Sequence, residues 1–215
     1  MRMRTIQMLV GQGFCMTWKI EKWLSEVFPG ENKLFFEYQN LSEREFVIVA
    51  AGVLDLALAE LISKRLIDNS KEYESFLGLD ESGNAPAGSM GARIQLALLL
   101  GIIRIEDARI LRIIKNIRNK FAHRVNVSFL DPSVQPLASK LLVEWSERSK
   151  FILQSYPNEA RVASKKGLRE LKEQLDKDSQ AGEGLLLAVF SVYQAYFYRL
   201  NDRVERIQYV VRKPS

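Results

Sequence analysis

Apolar residues along this chain recur every three or four positions, in blocks separated by glycines, prolines and short polar runs. That period is the signature of amphipathic helices. Trp18, Ile20, Trp23, Leu24, Val27 and Phe28 predict a helix over 17–28, closed by Pro29-Gly30. Ser42-Glu43-Arg44-Glu45 has the form of a capping box and opens a second helix running to about Ile67. Its apolar positions (Phe46, Val49, Ala50, Val53, Leu54, Leu58, Leu61, Ile62) spread almost all round the rod, which predicts a central helix. Residues 69–89 carry Gly78, Gly83, Asn84, Pro86 and Gly88 and are expected to form a loop. Ser89 then caps a short helix that stops at Gly101.

Glu106-Asp107 opens the next helix, to about Ala122, with two acids at the positive end of its dipole. A helix over 134–153 follows, with Leu137, Leu141, Leu142, Trp145 and Ile152 on one side. After Pro157, residues 158–175 are highly charged, with four apolar anchors (Val162, Leu168, Leu171, Leu175), and predict an exposed helix. Residues 179–184 read as a breaker, and a final helix runs from Leu185 to Val211. No stretch alternates long enough to make a sheet. The predicted class is all-α: a flexible N-terminus (1–16), a helical domain (17–156), and a charged helix plus an aromatic C-terminal helix (157–215) packed on the bundle.

Composition narrows the chemistry. With 47% hydrophobic and 27% charged residues in 215, the chain can bury an ordinary globular core. The net charge of +5 permits an anionic partner without demanding one. One cysteine, Cys15, and one histidine, His123, leave no internal disulfide and no Cys/His zinc site. A reducing, cytoplasmic setting is expected. The apolar run near the N-terminus is broken by Gln7, Gly11 and Gln12, unlike a secretory signal. The most apolar segment, 185–198, is shorter than the ~20 residues that span a bilayer. A buried core helix is expected there, and no membrane association.

The basic residues are concentrated. Residues 104–124 hold seven Lys or Arg against two acids. On a helical wheel, Ile110, Ile113, Ile114, Ile117 and Phe121 form an apolar face, while Arg109, Arg112, Asn116, Asn119 and His123 form the opposite polar stripe. Arg118 lies between the faces, about 100° from Asn119 and about 140° from His123. A histidine that titrates near neutrality, beside an arginine, suits phosphodiester chemistry: the imidazole can exchange a proton with a ribose 2′-hydroxyl, and the guanidinium can stabilise developing charge. Lys115, Lys120 and Arg124, with Arg109 and Arg112, are the candidate phosphate contacts. A solvated helix end would carry the same residue types. On the central helix, Asp55 and Glu60 are either edge positions or partners for a basic group such as Arg93.

Arg118-Asn119-Lys120-Phe121-Ala122-His123 resembles the R-N-x-x-x-H form of the motif that marks HEPN domains. The resemblance implies a helical, dimeric fold and a metal-independent endoribonuclease site of Arg118, Asn119 and His123 completed across two subunits. A wider stretch, Gly91 to Ile103 with Ile117 to His123 and Ser128-Phe129, is similar to the mannitol-operon repressor family. That family is all-helical and assigned to transcriptional repression, and it has an arginine where Arg93 stands. The leading expectation is therefore a regulatory protein acting through protein contacts, without direct DNA reading. The alternative is the endoribonuclease. A homodimer is expected under both, with RNA or a regulatory protein as partner and no cofactor. Val125 stands where HEPN toxins silenced by a nucleotidyltransferase carry tyrosine, so that scheme is not expected.

Overall fold

The computed structural model describes residues 41–66, 69–80, 85–152, 154 and 158–201. The expected helix over 17–28 and the expected flexible residues 1–16 lie outside this set. Among the described residues there are seven helices and no strand: α1 (Glu43–Arg65), α2 (Ser70–Leu77), α3 (Met90–Leu99), α4 (Ile105–His123), α5 (Gln135–Ile152), α6 (Asn158–Gln174) and α7 (Ser179–Asn201). The fold is all-α.

α1 begins where the capping box places it. The Glu45 N–H donates to the Ser42 hydroxyl at 3.3 Å, and the Ser42 N–H donates to the Glu45 carboxylate at 2.7 Å. The Ser42 hydrogen bonds hold the Glu45 carboxyl below its usual pKa. α1 is the central rod, lying against α7, α4 and α3. Phe46, Val47, Ala50, Leu54, Leu58 and Ile62 are buried along it. By length and composition this helix could also cross a membrane, with a mean hydropathy of 2.1 over its most apolar window. Here it has helical neighbours on several sides instead.

Two expectations are corrected. Residues 69–89 are not all loop, because Ser70–Leu77 is helical. Asn69 acts as its N-cap, its side chain accepting the Glu72 N–H, and Gly78 ends it in the left-handed conformation at φ +67. Eight residues are too few for a period to stand out, so the polar cap and closing glycine looked like loop residues. Residues 179–184 do not break the chain either, since they form the first turns of α7. Gly182 sits there for packing: a Cβ at that position would overlap the Phe129 ring. The described part of α7 ends at Asn201, so its expected continuation to Val211 lies outside the described residues.

α7 is no appendage. Leu185, Leu186, Val189, Phe190 and Tyr193 are buried in the same core as α1, and the Phe190 ring meets Phe46 edge-on at 6.5 Å. α6 is the outer helix. Leu171, with Leu175 just beyond its end, fixes it to the core, while Lys165, Lys166, Arg169, Lys172 and Glu173 face solvent.

Candidate functional site

α4 positions the basic residues because its other face is fixed. Ile110, Leu111, Ile113, Ile114, Ile117 and Phe121 are all buried, so the helix has one rotational setting against α1, α3 and α5. That setting leaves Arg109, Asn116, Arg118, His123 and Arg124 exposed, with Arg112, Lys115, Asn119 and Lys120 half-buried. The helix runs unbroken to His123. Arg118 and His123 are therefore not converged by a helix end before residue 123, and one chain presents them on diverging faces.

Individual partners divide this edge. Arg118 donates from Nη1 to the Asn119 side-chain oxygen at 3.2 Å. Arg112 reaches across to Gln95 on α3 at 2.8 Å. Lys115 crosses α3 at Gly91, where an added Cβ would stand 3.4 Å from the ammonium. Arg124 turns away from the helix and bonds Ser133 at 3.0 Å and Asp131 at 3.5 Å. The hydrogen bonds from Ser133 to Asp131 hold that carboxyl below its usual pKa, with Arg124 assisting. Arg124 is thus bound up in the following turn, unlike Arg109, which is exposed on the edge.

Arg93 is buried on α3 and is fully engaged within the protein. It donates to Asp55 at 2.7 Å, to the Leu77 carbonyl at 2.6 Å and to the Ala87 carbonyl at 3.1 Å. It fastens both ends of the 78–88 connection to the central helix. Glu60 pairs along its own helix with Lys64 at 3.9 Å. Burial pushes the Asp55 carboxyl pKa up, against the Arg93 charge and, more weakly, the Arg118 charge. The second Asp55 oxygen is buried with no hydrogen-bond partner among the described residues.

A second polar cluster was not foreseen. Of the two acids expected to favour the α4 dipole, Asp107 is completely buried and only Glu106 is exposed. Its carboxylate accepts from Arg148 Nε at 2.6 Å and Nη2 at 2.9 Å, from the Tyr193 hydroxyl at 2.8 Å and from the Arg104 N–H at 3.1 Å. Tyr196 adds a longer bond at 3.4 Å. Burial works against the Arg148 charge, but the Asp107 bonds outweigh it and raise the guanidinium pKa. Burial, with the Asp107 charge, raises the Tyr193 phenol well above its usual pKa. A signal was present. Asp107 is in register with Ile110, Leu111 and Ile114, and Arg148 with Leu141, Trp145 and Ile152. A charge on an apolar stripe needs a buried counter-charge.

Among the described residues no three His, Cys, Asp or Glu side chains gather as a metal-holding group. No family model, curated protein or solved structure matches the chain. The fold and site define an all-α bundle in which an amphipathic helix, α4, carries exposed Arg118 and His123 with Asn119 half-buried between them in sequence.

Proposed function

We propose that this protein is a HEPN-like endoribonuclease working as a homodimer, with Arg118, Asn119 and His123 at its site. The supporting observation is that Arg118 and His123 are both exposed near the C-terminal end of α4, with Asn119 bonded to the arginine. In this reading His123 takes the proton of a ribose 2′-hydroxyl, and the 2′-oxygen attacks the adjacent phosphorus. The bond from phosphorus to the 5′-oxygen breaks, and that oxygen collects a proton from an imidazolium or from water. The products are a 2′,3′-cyclic phosphate and a 5′-hydroxyl end. Arg118, oriented by Asn119, stabilises charge on the non-bridging oxygens. Arg109, Lys115 and Lys120 contact the flanking phosphates. The divergence of Arg118 and His123 on one straight helix is why a second copy completes the site.

The experiment is incubation of labelled single-stranded RNA with the protein and with His123→Ala, in the presence of a chelator. Cleavage by the wild type alone, leaving cyclic phosphate ends, is the expected result. A folded wild-type dimer that leaves a panel of RNAs intact would sink the reading.

A second reading, regulation through protein contacts as in the mannitol-operon repressor family, draws on two exposed apolar side chains. Val125 is 80% exposed just beyond His123, and Leu99 is 73% exposed at the end of α3. Exposed apolar side chains of this kind are surface that a protein partner can cover. The apolar face of α4 lies in the core, so the α3–α4 pair offers no free recognition helix. Binding to an immobilised operator by the purified protein alone would count against this reading. Both readings place the protein in the cytoplasm.

A further inference from the structure

The first turn of α1 grips the chain on both sides of His123. Arg44 donates from Nη2 to the Ala122 carbonyl at 3.3 Å, one residue before the histidine. Its neighbour Glu43 holds the chain after it: one carboxylate oxygen accepts the Phe129 N–H at 3.4 Å, and the other accepts the Ser179 hydroxyl at 2.6 Å. Ser179 in turn accepts the same Phe129 N–H at 3.2 Å, so three elements meet at one backbone amide. Below it the Phe129 ring is buried against Phe121, with centroids 5.2 Å apart, and against Gly182.

One of these choices costs stability locally. A cation in the first turn of a helix is opposed by the dipole, yet Arg44 stands there. It is turned to the C-terminal carbonyls of α4, the negative end of an adjacent helix. The last carbonyls of a helix have no partner within it, and this one is supplied from α1. Ser179 opens α7, the helix outside both resemblances, and ties that helix to the same point.

We infer that Glu43 and Arg44 are positioning residues for His123, and that Ser179 couples the C-terminal helix to them. The inference rests on the reading of His123 as the proton-transferring group. The grip holds the last turn of α4 and the start of the next turn in one geometry, so the backbone from which the His123 side chain projects is fixed on an otherwise exposed helix end. A histidine displaced by a fraction of an ångström transfers its proton poorly while phosphate contacts along α4 persist.

His123 is the chain's sole histidine, so its imidazole signals in a nitrogen-correlated NMR spectrum are unambiguous. Arg44→Met keeps the stem and removes the donor; Glu43→Met and Ser179→Ala remove the ties one at a time. Each folded variant should show shifted or broadened His123 signals. On RNA, kcat should fall about tenfold with KM within about twofold, because binding contacts are untouched. Arg44→Lys, which retains a donor, should recover part of the loss. Imidazole signals in Glu43→Met and Ser179→Ala that superimpose on the wild type would overturn the inference even if RNA is cleaved. Perturbed signals in the variants, with a wild type that cleaves no RNA, would leave the grip standing and remove the nuclease. If Arg44→Met fails to fold, Ser179→Ala, which loses one hydroxyl, decides.

Discussion

At the scale of single residues, the buried Asp107–Arg148 pair joins the start of α4, the middle of α5 and the tyrosines of α7. Taking two charges out of water is costly, and only the five donors around Asp107 make it tolerable. Asp107→Ala leaves the Arg148 charge without its partner, so it should cost about 3–5 kcal/mol in urea denaturation. Asp107→Leu combined with Arg148→Met should recover part of that loss, since the desolvation penalty of the pair goes while the Tyr193 hydroxyl and the Arg104 N–H lose their acceptor. If the double variant is less stable than either single one, the charge itself, and not its pairing, is what the core needs. The tyrosines add a dependence on pH. Burial and the Asp107 charge raise the folded pKa values of Tyr193 and Tyr196 above that of an ordinary phenol, about 10, so the folded state keeps their protons more tightly than the unfolded chain does. Their contribution is fully present below about pH 10 and is lost as pH rises through the folded values. Unfolding free energy should therefore fall above about pH 10, and Tyr193→Phe should flatten that decline while costing about 1 kcal/mol at neutral pH. An alkaline limb equally steep in Tyr193→Phe would place the sensitivity elsewhere.

At the scale of elements, two helical glycines should respond in opposite directions to the same substitution. Gly52 lies inside α1 at an exposed position, and a Cβ there meets nothing within 4 Å. Gly52→Ala should stabilise by about 0.5–1 kcal/mol, the difference in helix propensity. Gly182→Ala gains the same propensity but drives a methyl into the Phe129 ring, so it should destabilise by about 1–3 kcal/mol. Thermal midpoints of the two variants moving the same way would refute the packing account of Gly182. This pair also shows what the sequence could and could not disclose. The start of α1 was legible because a capping box is a local pattern, and α4 because five buried apolar residues recur at helical spacing. The role of Gly182 was not, because a breaker and a close-packing site look alike until Phe129 arrives from more than fifty positions away. α2 was hidden for a different reason, its single cap and eight residues being shorter than the period needs. In the site, the polar stripe of α4 was readable residue by residue, whereas Arg44, Glu43 and Ser179 carried no signal near the motif. Their proximity to His123 exists only through tertiary contact. Asp107 and Arg148 were legible in principle, as charges in register with apolar stripes.

At the scale of the whole molecule, the question is whether one chain or two completes the site. α4 stays helical through His123, so Arg118 and His123 point about 140° apart on the wheel. A single chain cannot then bring both to one phosphate unless the side chains turn around the helix, and Arg118 is already bonded to Asn119. A second copy related by a two-fold axis resolves this, because the arginine of one α4 can face the histidine of the other. The arrangement makes a strict prediction about mixtures. Arg118→Ala and His123→Ala should each be inactive alone as homodimers. In a mixed dimer one site keeps both groups and the other loses both. After subunit exchange, half the dimers are mixed and each holds one complete site, so activity should return to about a quarter of the wild type. Under the proposed nuclease the mixed activity should fall steeply with salt, because phosphate contacts from a basic edge would release counterions. Adding Arg109→Ser to both variants should lower the salt slope by about 0.7 without changing the fraction restored. A mixture as inactive as its components, with exchange verified by a size-tagged partner, would show that each chain acts alone or that neither acts on RNA. In that case the divergence on α4 would separate two unrelated surfaces, and Val125 and Leu99 would become the residues to follow toward a protein partner.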